Sequence, residues 1–166
     1  MRTSLMLALA LSIASLAGAA TVDPAEAWRP IHSFIGTWKG TRAGAEGTVK
    51  VTRVYSTSLT NHHVDITESG GGRSRGAVLG QVSLDSERQV LVLHQLAADG
   101  SAADAALDSP GSNTDPLVFL SGESDGTRTR ITYERTGAKA FVERIERSAG
   151  GESFSVVSET RFVRAD

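Results

Sequence analysis

The stretch Phe34-Ile35-Gly36-Thr37-Trp38-Lys39-Gly40 marks a change of pattern in the chain. Before it, Trp28 and Ile31 recur at the spacing of a short amphipathic helix, and after it apolar residues alternate with polar ones. A Gly-x-Trp step that links a short helix to many strand-length runs is typical of a small β-barrel whose first strand places a tryptophan at the barrel floor. We therefore predict that this stretch opens an all-β barrel and that the helix covers one barrel end.

Runs of alternating polarity continue from residue 48 to the C terminus. Val49 and Val51 share one strand face, for example, and Val64 and Ile66 share another. Short turns that contain glycine join the later runs, which is typical of successive antiparallel strands. The pattern predicts an antiparallel up-and-down barrel of about 9–10 strands with a short N-terminal helix. The segment between residues 98 and 116 is rich in Ala, Asp, Ser and Gly, and we predict one short edge strand there, near Ala102 to Leu107.

The first residues follow the three-part pattern of a secretory signal peptide. Arg2 precedes an apolar run from Leu5 to Leu16, and the small residues Ala17-Gly18-Ala19-Ala20 follow. We expect residues 1–19 to be a signal peptide, cleaved near 19/20 or 20/21, and residues 20–166 to form a single exported domain, periplasmic or secreted. The apolar run is shorter than the roughly 20 residues of a membrane-spanning helix, so no transmembrane segment is expected after cleavage.

Composition excludes several functions. The chain of 166 residues has no cysteine, which excludes disulfides, thiol catalysis and thiolate metal sites. Its formal net charge is −2, so nucleic acid is not an expected partner, because binding to phosphates depends on an excess of Lys and Arg. The nucleophile motif Gly-x-Ser-x-Gly is absent as well. The sequence therefore predicts no catalytic residue.

The signal sequence, the short helix, the stretch from Gly36 to Gly40 and the closing run Glu159-Thr160-Arg161-Phe162-Val163-Arg164 together resemble a family of uncharacterised bacterial exported lipocalin-like domains. That family is related to calycins and nitrobindin-like barrels, which enclose small apolar ligands or haem. The resemblance implies a barrel with an internal pocket that holds a small, largely apolar molecule without catalysis.

The resemblance also implies a structural barrel base. In lipocalins, the tryptophan of the Gly-x-Trp step packs under an arginine of the last strand in a cation–π contact. Gly36 and Trp38, with Arg161 or Arg164, are the matching residues here. Haem is a possible cofactor, but nitrobindin-like barrels hold haem through a histidine close to the C terminus, whereas the last histidine in this chain is His94.

Two histidines are candidate ligand-binding residues. His62 shares a strand face with Val64 and Ile66, and His94 shares a strand face with Val92, so both side chains could point inward. Two inward imidazoles could bind a metal ion or haem iron, or act as a general acid and base. The alternative is that both are hydrogen-bonded structural residues of the barrel.

Glu143 and Tyr133 complete the candidate ligand-binding set. Glu143 lies between Phe141 and Ile145 on one strand face. If that face is the core, Glu143 is a buried carboxylate that has a raised pKa or an arginine partner, and such a pair could orient the polar head of a ligand. If Val142 points inward instead, Glu143 is exposed. Tyr133 lies on the apolar face of its own strand, which the alternation predicts to be the inner face.

Three functions remain open from the sequence. The first is an exported carrier of a small apolar molecule. The second is a haem- or metal-dependent protein or enzyme that uses the barrel histidines. The third is an envelope protein that meets a partner through an exposed strand edge or through the segment between residues 98 and 116.

Overall fold

The computed structural model describes residues 24–44, 47–57, 63–70, 78–96, 102–109, 115–122, 126–150 and 153–165. The expected signal peptide and its cleavage site lie outside the described residues, and so does His62. Within these ranges, no helix has the length and hydrophobicity that a membrane span requires.

One helix and ten strands make up the described part of the chain. Helix α1 spans Pro24–His32. The strands are β1 (Gly36–Gly44), β2 (Gly47–Thr57), β3 (His63–Gly70), β4 (Val78–Asp85), β5 (Val90–Leu96), β6 (Ala102–Ser109), β7 (Leu117–Gly122), β8 (Thr127–Gly137), β9 (Ala140–Ala149) and β10 (Ser155–Arg164).

The ten strands form one closed antiparallel barrel. Each strand pairs with its neighbours in sequence, and β1 also pairs with β10, which closes the sheet. The predicted all-β up-and-down barrel with a short N-terminal helix is therefore confirmed. The expected short edge strand corresponds to β6, but β6 pairs with β5 on one side and β7 on the other. It is not an edge, because closure leaves no free strand edge in this sheet.

Alternate side chains of each strand point into the barrel, as the two-residue period of a strand requires. In β5, for example, Leu91 and Leu93 belong to the buried core. Aromatic rings pack against one another inside the barrel near the end that lies next to α1. Phe34, in the link between α1 and β1, contacts the rings of Tyr55, Tyr133 and Phe141.

Helix α1 lies across this end of the barrel, which we call the helix-side mouth. The apolar stripe that predicted a helix is the face that is buried, since Trp28 and Ile31 join the same core as Phe34. The backbone of the link is fixed by the first strand, because Trp38 Nε1 donates a hydrogen bond to the carbonyl of Phe34 at 2.6 Å.

Arg164 is the arginine of the last strand that lies over Trp38. Its guanidinium carbon is 5.4 Å from the centroid of the Trp38 ring, and its Nη2 donates a hydrogen bond to the carbonyl of Ile35 at 2.8 Å. Arg161 does not contact Trp38. It lies one position before the inward-pointing Phe162, so its side chain points outward, is 78% exposed and contacts Glu159.

Candidate functional site

A cavity of about 1060 Å³ opens at the helix-side mouth. Its deeper wall is apolar and comes from Phe34, Leu91, Leu107, Leu117 and the ring of Tyr133. Its rim is polar. The rim residues include Glu26, Arg29, Asp108, Asp115 and Arg135. The volume is at the upper end of the range of about 300–1,000 Å³ that is typical of small-molecule sites, and an apolar wall with few polar groups is the usual lining of such sites.

Arg135 is the rim residue with unused hydrogen-bonding capacity. Its Nη2 is buried and has no hydrogen-bond partner among the described residues. Its guanidinium lies 4.9 Å from the centroid of the Phe34 ring, at the edge of the apolar wall. Burial, together with the positive charge of Arg164, lowers the pKa of Arg135. A negatively charged group in the cavity would offset both effects.

Deeper in the barrel, the interior holds a chain of ion pairs. Arg53 on β2 binds Glu143 on β9 through both guanidinium Nη atoms, one of them 2.9 Å from Oε2. Arg53 also binds Glu68 on β3, with Nη2 at 2.5 Å from Oε2. Arg42 on β1 holds the same Glu68 through contacts of 2.7 and 2.8 Å, and its Nε donates to Thr160 at 3.0 Å. Two buried cations therefore balance two buried carboxylates.

The ion pairs shift the pKa values of Glu68 and Arg53. Burial alone raises the pKa of Glu68, but the nearby guanidinium groups of Arg53 and Arg42 outweigh it and lower the pKa below its usual value. Burial lowers the pKa of Arg53, but Glu143, with smaller contributions from Tyr55 and Tyr133, outweighs burial and raises the pKa above its usual value. Each of the four side chains is hydrogen-bonded to a partner of opposite formal charge, which is the condition under which buried charges are tolerated.

Two tyrosines lie between Phe34, which lines the cavity, and the ion-pair network. Burial raises the pKa of Tyr55 to about 12, and Arg53 donates a hydrogen bond to its hydroxyl at 3.2 Å. Burial also raises the pKa of Tyr133 well above its ordinary value, and its hydroxyl is hydrogen-bonded to Glu143. Tyr133 is thus the residue that connects the cavity wall to the charged interior.

The four residues that the sequence suggested for ligand binding do not form one site. Tyr133 lines the cavity at the helix-side mouth. Glu143 points inward, as one of the two alternatives required, and is almost fully buried against Arg53. It lies behind Tyr133, where the ion pairs occupy its oxygens. His62 lies outside the described residues, so its orientation stays a prediction.

His94 does not point inward, and that expectation was wrong. Leu91 and Leu93 take the inner positions of β5, which places His94 on the outer face with its side chain 42% exposed. Its two ring nitrogens contact Ser83 and Asp104 on the neighbouring strands. Among the described residues, no group of three or more His, Cys, Asp or Glu side chains could hold a metal ion.

Sequence analysis missed the arginines that organise the interior. Arg53 lies between Val51 and Tyr55 on one strand face, and Glu68 continues the face of Val64 and Ile66. The two-residue period therefore already placed these charges on the inner face. The sequence signal for Arg135 was weaker. Only Tyr133, two residues earlier on the same strand face, indicates that Arg135 points inward.

No protein-family model matches the chain, and no curated protein matches it. Among solved structures, the S-type phycobiliprotein lyase from Guillardia theta is similar, with 8% identity over 81% of this chain and 90% of the lyase chain and a TM-score of 0.52. A de novo designed fluorescence-activating β-barrel has 16% identity over 81% of this chain and 95% of its own, with a TM-score of 0.44. The protein EF1p2_mFAP2b bound to DFHBI has 14% identity over 84% of this chain and 99% of its own, with a TM-score of 0.40.

The likeness to the lyase, at 8% identity, shows the barrel fold alone. The family of bacterial exported lipocalin-like domains, which the sequence resembles, stays a prediction.

Proposed function

We propose that this barrel binds a small, largely apolar molecule with an anionic group at the helix-side mouth, without catalysis there. The observation that carries the proposal is the cavity of about 1060 Å³ with an apolar wall and Arg135 at its rim. The apolar part of the ligand would contact Leu91, Leu107 and Leu117, and its anionic group would accept hydrogen bonds from Arg135.

The binding position follows from what fills the rest of the interior. Below Tyr133, the network of Arg53, Glu143, Glu68 and Arg42 occupies the inside of the barrel, and its polar groups already have partners. A ligand that entered this region would have to break buried ion pairs, which costs several kcal/mol. The cavity above Tyr133 requires no such loss.

Arg135 determines which polar group the ligand carries. Its Nη2 lacks a hydrogen-bond partner among the described residues, and a buried unsatisfied donor costs about 1–3 kcal/mol. A carboxylate or another oxyanion removes that cost and also offsets the repulsion between Arg135 and Arg164. A cationic ligand would add to the repulsion.

The experiment compares three amphiphiles with the same alkyl chain: dodecanoate, dodecanol and dodecylamine. Their binding to the purified protein is measured by titration calorimetry. We expect dodecanoate to bind most tightly and dodecylamine most weakly. Arg135→Met should weaken dodecanoate by about 10-fold or more, because a hydrogen bond to a charged group contributes about 1.5–3 kcal/mol.

Arg29→Met is the matched control, because Arg29 lies at the same rim but is already paired with Glu26 in solvent. This variant should change dodecanoate affinity by less than about 3-fold, as exposed pairs contribute little. Absence of saturable binding for all three probes would reject the proposed function. Equal losses in Arg135→Met and Arg29→Met would reject the role of Arg135.

We also propose that the protein works outside the cytoplasm, periplasmic or secreted. The support is the signal-peptide pattern from Arg2 to Ala20. The intact mass of the protein recovered from the exported fraction should correspond to a chain that begins at Ala20 or Thr21. Recovery of a chain that still carries Met1 in the cytoplasmic fraction would contradict this proposal.

A further inference from the structure

The outer face of the barrel carries a serine, a histidine and an aspartate in one hydrogen-bonded line. Ser83 Oγ lies 2.9 Å from His94 Nε2, and His94 Nδ1 lies 2.8 Å from Asp104 Oδ1. These residues belong to three adjacent strands, β4, β5 and β6. None of them lines the cavity at the helix-side mouth.

The strand register produces this line. Asp104 lies directly opposite His94, and Ser83 lies opposite Val92, two positions before His94 on β5. Neighbours directly opposite and diagonal to each other on one sheet face are within reach of a histidine side chain. The arrangement is therefore fixed by backbone pairing on rigid strands and does not depend on a loop.

The two contacts select one form of the imidazole. The ionised carboxylate of Asp104 only accepts hydrogen bonds, so His94 Nδ1 carries the hydrogen that it donates. The Nε2 lone pair of the neutral ring then accepts the hydroxyl hydrogen of Ser83. A hydroxyl bonded to a basic nitrogen that a carboxylate orients is the arrangement that activates serine as a nucleophile.

A depression lined by both apolar and polar residues lies beside the serine. Val92, Ala106 and Leu120 line it together with Ser83 and His94, in a hollow of about 510 Å³ on the outer surface. Val92 is only 9% exposed, although it points away from the barrel interior. The hollow therefore offers a small acyl group an apolar surface next to Ser83 Oγ. Arg88 lines the same hollow together with Asp85, its ion-pair partner, and Asp104.

We propose that Ser83 is a catalytic nucleophile that hydrolyses esters of small acyl groups, with His94 as the general base and Asp104 as the residue that positions His94. Ser83 Oγ bonds to the ester carbonyl carbon while its proton moves to His94 Nε2. The bond to the alcohol oxygen then breaks, and the alcohol leaves with that proton. Water attacks the acyl-serine, gives a proton to Nε2, and the carboxylic acid is released as Ser83 regains its proton.

The first experiment treats the full chain with diisopropyl fluorophosphate and locates the adduct by peptide mass spectrometry. Oγ would displace fluoride, so the phosphoryl group should be found on Ser83 and should be absent from Ser83→Ala. Labelling of other serines without Ser83, or no labelling, overturns the proposal. Ser56→Ala is the control, because Ser56 is an exposed serine on the outer face of β2, and it should leave the labelling of Ser83 unchanged.

The second experiment measures hydrolysis of p-nitrophenyl acetate. Ser83→Ala and His94→Ala should each lower kcat/KM by at least about 100-fold, the lower end of what a positioned general base contributes. His63→Ala is the matched imidazole control, because His63 lies directly opposite Ser83 on β3, on the side away from His94. It should retain the parent rate. A loss of activity in His63→Ala with the parent rate in His94→Ala would overturn the assignment of His94 as the general base.

Asp104 is tested by a pair of variants, because it acts through His94. Asp104→Asn should lower kcat by about 10-fold with KM unchanged, a smaller effect than in a buried triad because the carboxylate is 68% exposed. Asp104→Glu should restore most of kcat. The three residues lie on the surface, so circular dichroism should show that the barrel remains folded. A parent kcat in Asp104→Asn rejects the positioning role.

Discussion

Arg53 and Glu143 form a bidentate ion pair across the inside of the barrel, from β2 to β9. Both guanidinium Nη atoms contact the carboxylate, one at 2.9 Å, and neither side chain has more than slight exposure. Because β1 and β10 lie between the two strands in the sheet, the pair joins separated parts of the wall through the interior. It therefore acts as a structural link in the fold.

Glu143→Gln should lower the free energy of unfolding by about 3 kcal/mol, measured by urea denaturation. Removal of one partner of a buried pair leaves the other charge poorly compensated, which costs about 3–5 kcal/mol. We expect the lower end because Glu68 still contacts Arg53. Glu159→Gln is the control, since its pair with Arg144 lies on the outer face, and it should cost less than about 1 kcal/mol. Equal losses in the two variants would contradict this role of Glu143.

In the folded protein, both tyrosines of the chain should ionise at a higher pH than in the unfolded chain. Tyr55 and Tyr133 are the two tyrosines in the sequence, and burial raises the pKa of Tyr55 to about 12 and that of Tyr133 well above its ordinary value. Ultraviolet absorbance should therefore show no tyrosinate near pH 10, where tyrosine in an unfolded chain ionises. The same titration in denaturant should show tyrosinate near pH 10. Tyrosinate near pH 10 in the folded protein would contradict the burial of these hydroxyls.

The raised pKa of Tyr55 also predicts that the folded protein loses stability at alkaline pH. A folded-state pKa above the unfolded value means that the contribution of Tyr55 is fully present below about pH 10 and is lost as the pH rises through about 12. Tyr55→Phe should make the fall in stability over that window shallower, as measured by thermal unfolding at a series of pH values. A fall of the same size in the variant would show that Tyr55 does not cause it.

Glu68 should make the barrel sensitive to acid. Its pKa is lowered in the folded state because, although burial alone raises it, Arg53 and Arg42 outweigh burial. The contribution is present above the unfolded pKa of about 4.3 and is lost as the pH falls through the lower folded value. Glu68→Gln should be less stable at neutral pH and should lose less stability below about pH 4. An acid slope equal to that of the parent would contradict this.

The fold could be predicted from sequence because its signals are local. Strands β2, β3, β7, β8 and β9 show alternation or tight turns within their own residues, and those features suffice for an antiparallel meander. Strand β6 was a weak prediction because its Ala, Asp and Ser residues have low strand propensity. It forms because β5 and β7 offer it backbone hydrogen bonds on both sides.

The candidate site was less predictable because it depends on which face of each strand points inward. The run Val90-Leu91-Val92-Leu93 is apolar on both faces, so either orientation fitted, and the one that turned His94 inward was wrong. Glu143 left two orientations open for a different reason. Its partner Arg53 is 90 residues away in sequence, and no local pattern could select that pair.

Arg164 should stabilise the barrel base more than Arg161. Arg164 lies over the Trp38 ring and donates to the carbonyl of Ile35, so Arg164→Met should lower the free energy of unfolding by about 1–2 kcal/mol. Arg161→Met is matched in chemistry and strand but removes an exposed side chain, and it should cost less than about 0.5 kcal/mol.

Gly36→Ala tests the same base from the other side. Gly36 has a φ of 127°, which other residues rarely adopt, and an added Cβ would lie 2.9 Å from Arg164 Nη2. It should therefore destabilise the protein at least as much as Arg164→Met. If the cation–π contact is the main effect, the double variant should cost less than the sum of the two single losses. A fully additive result would show that the glycine acts through its backbone conformation alone.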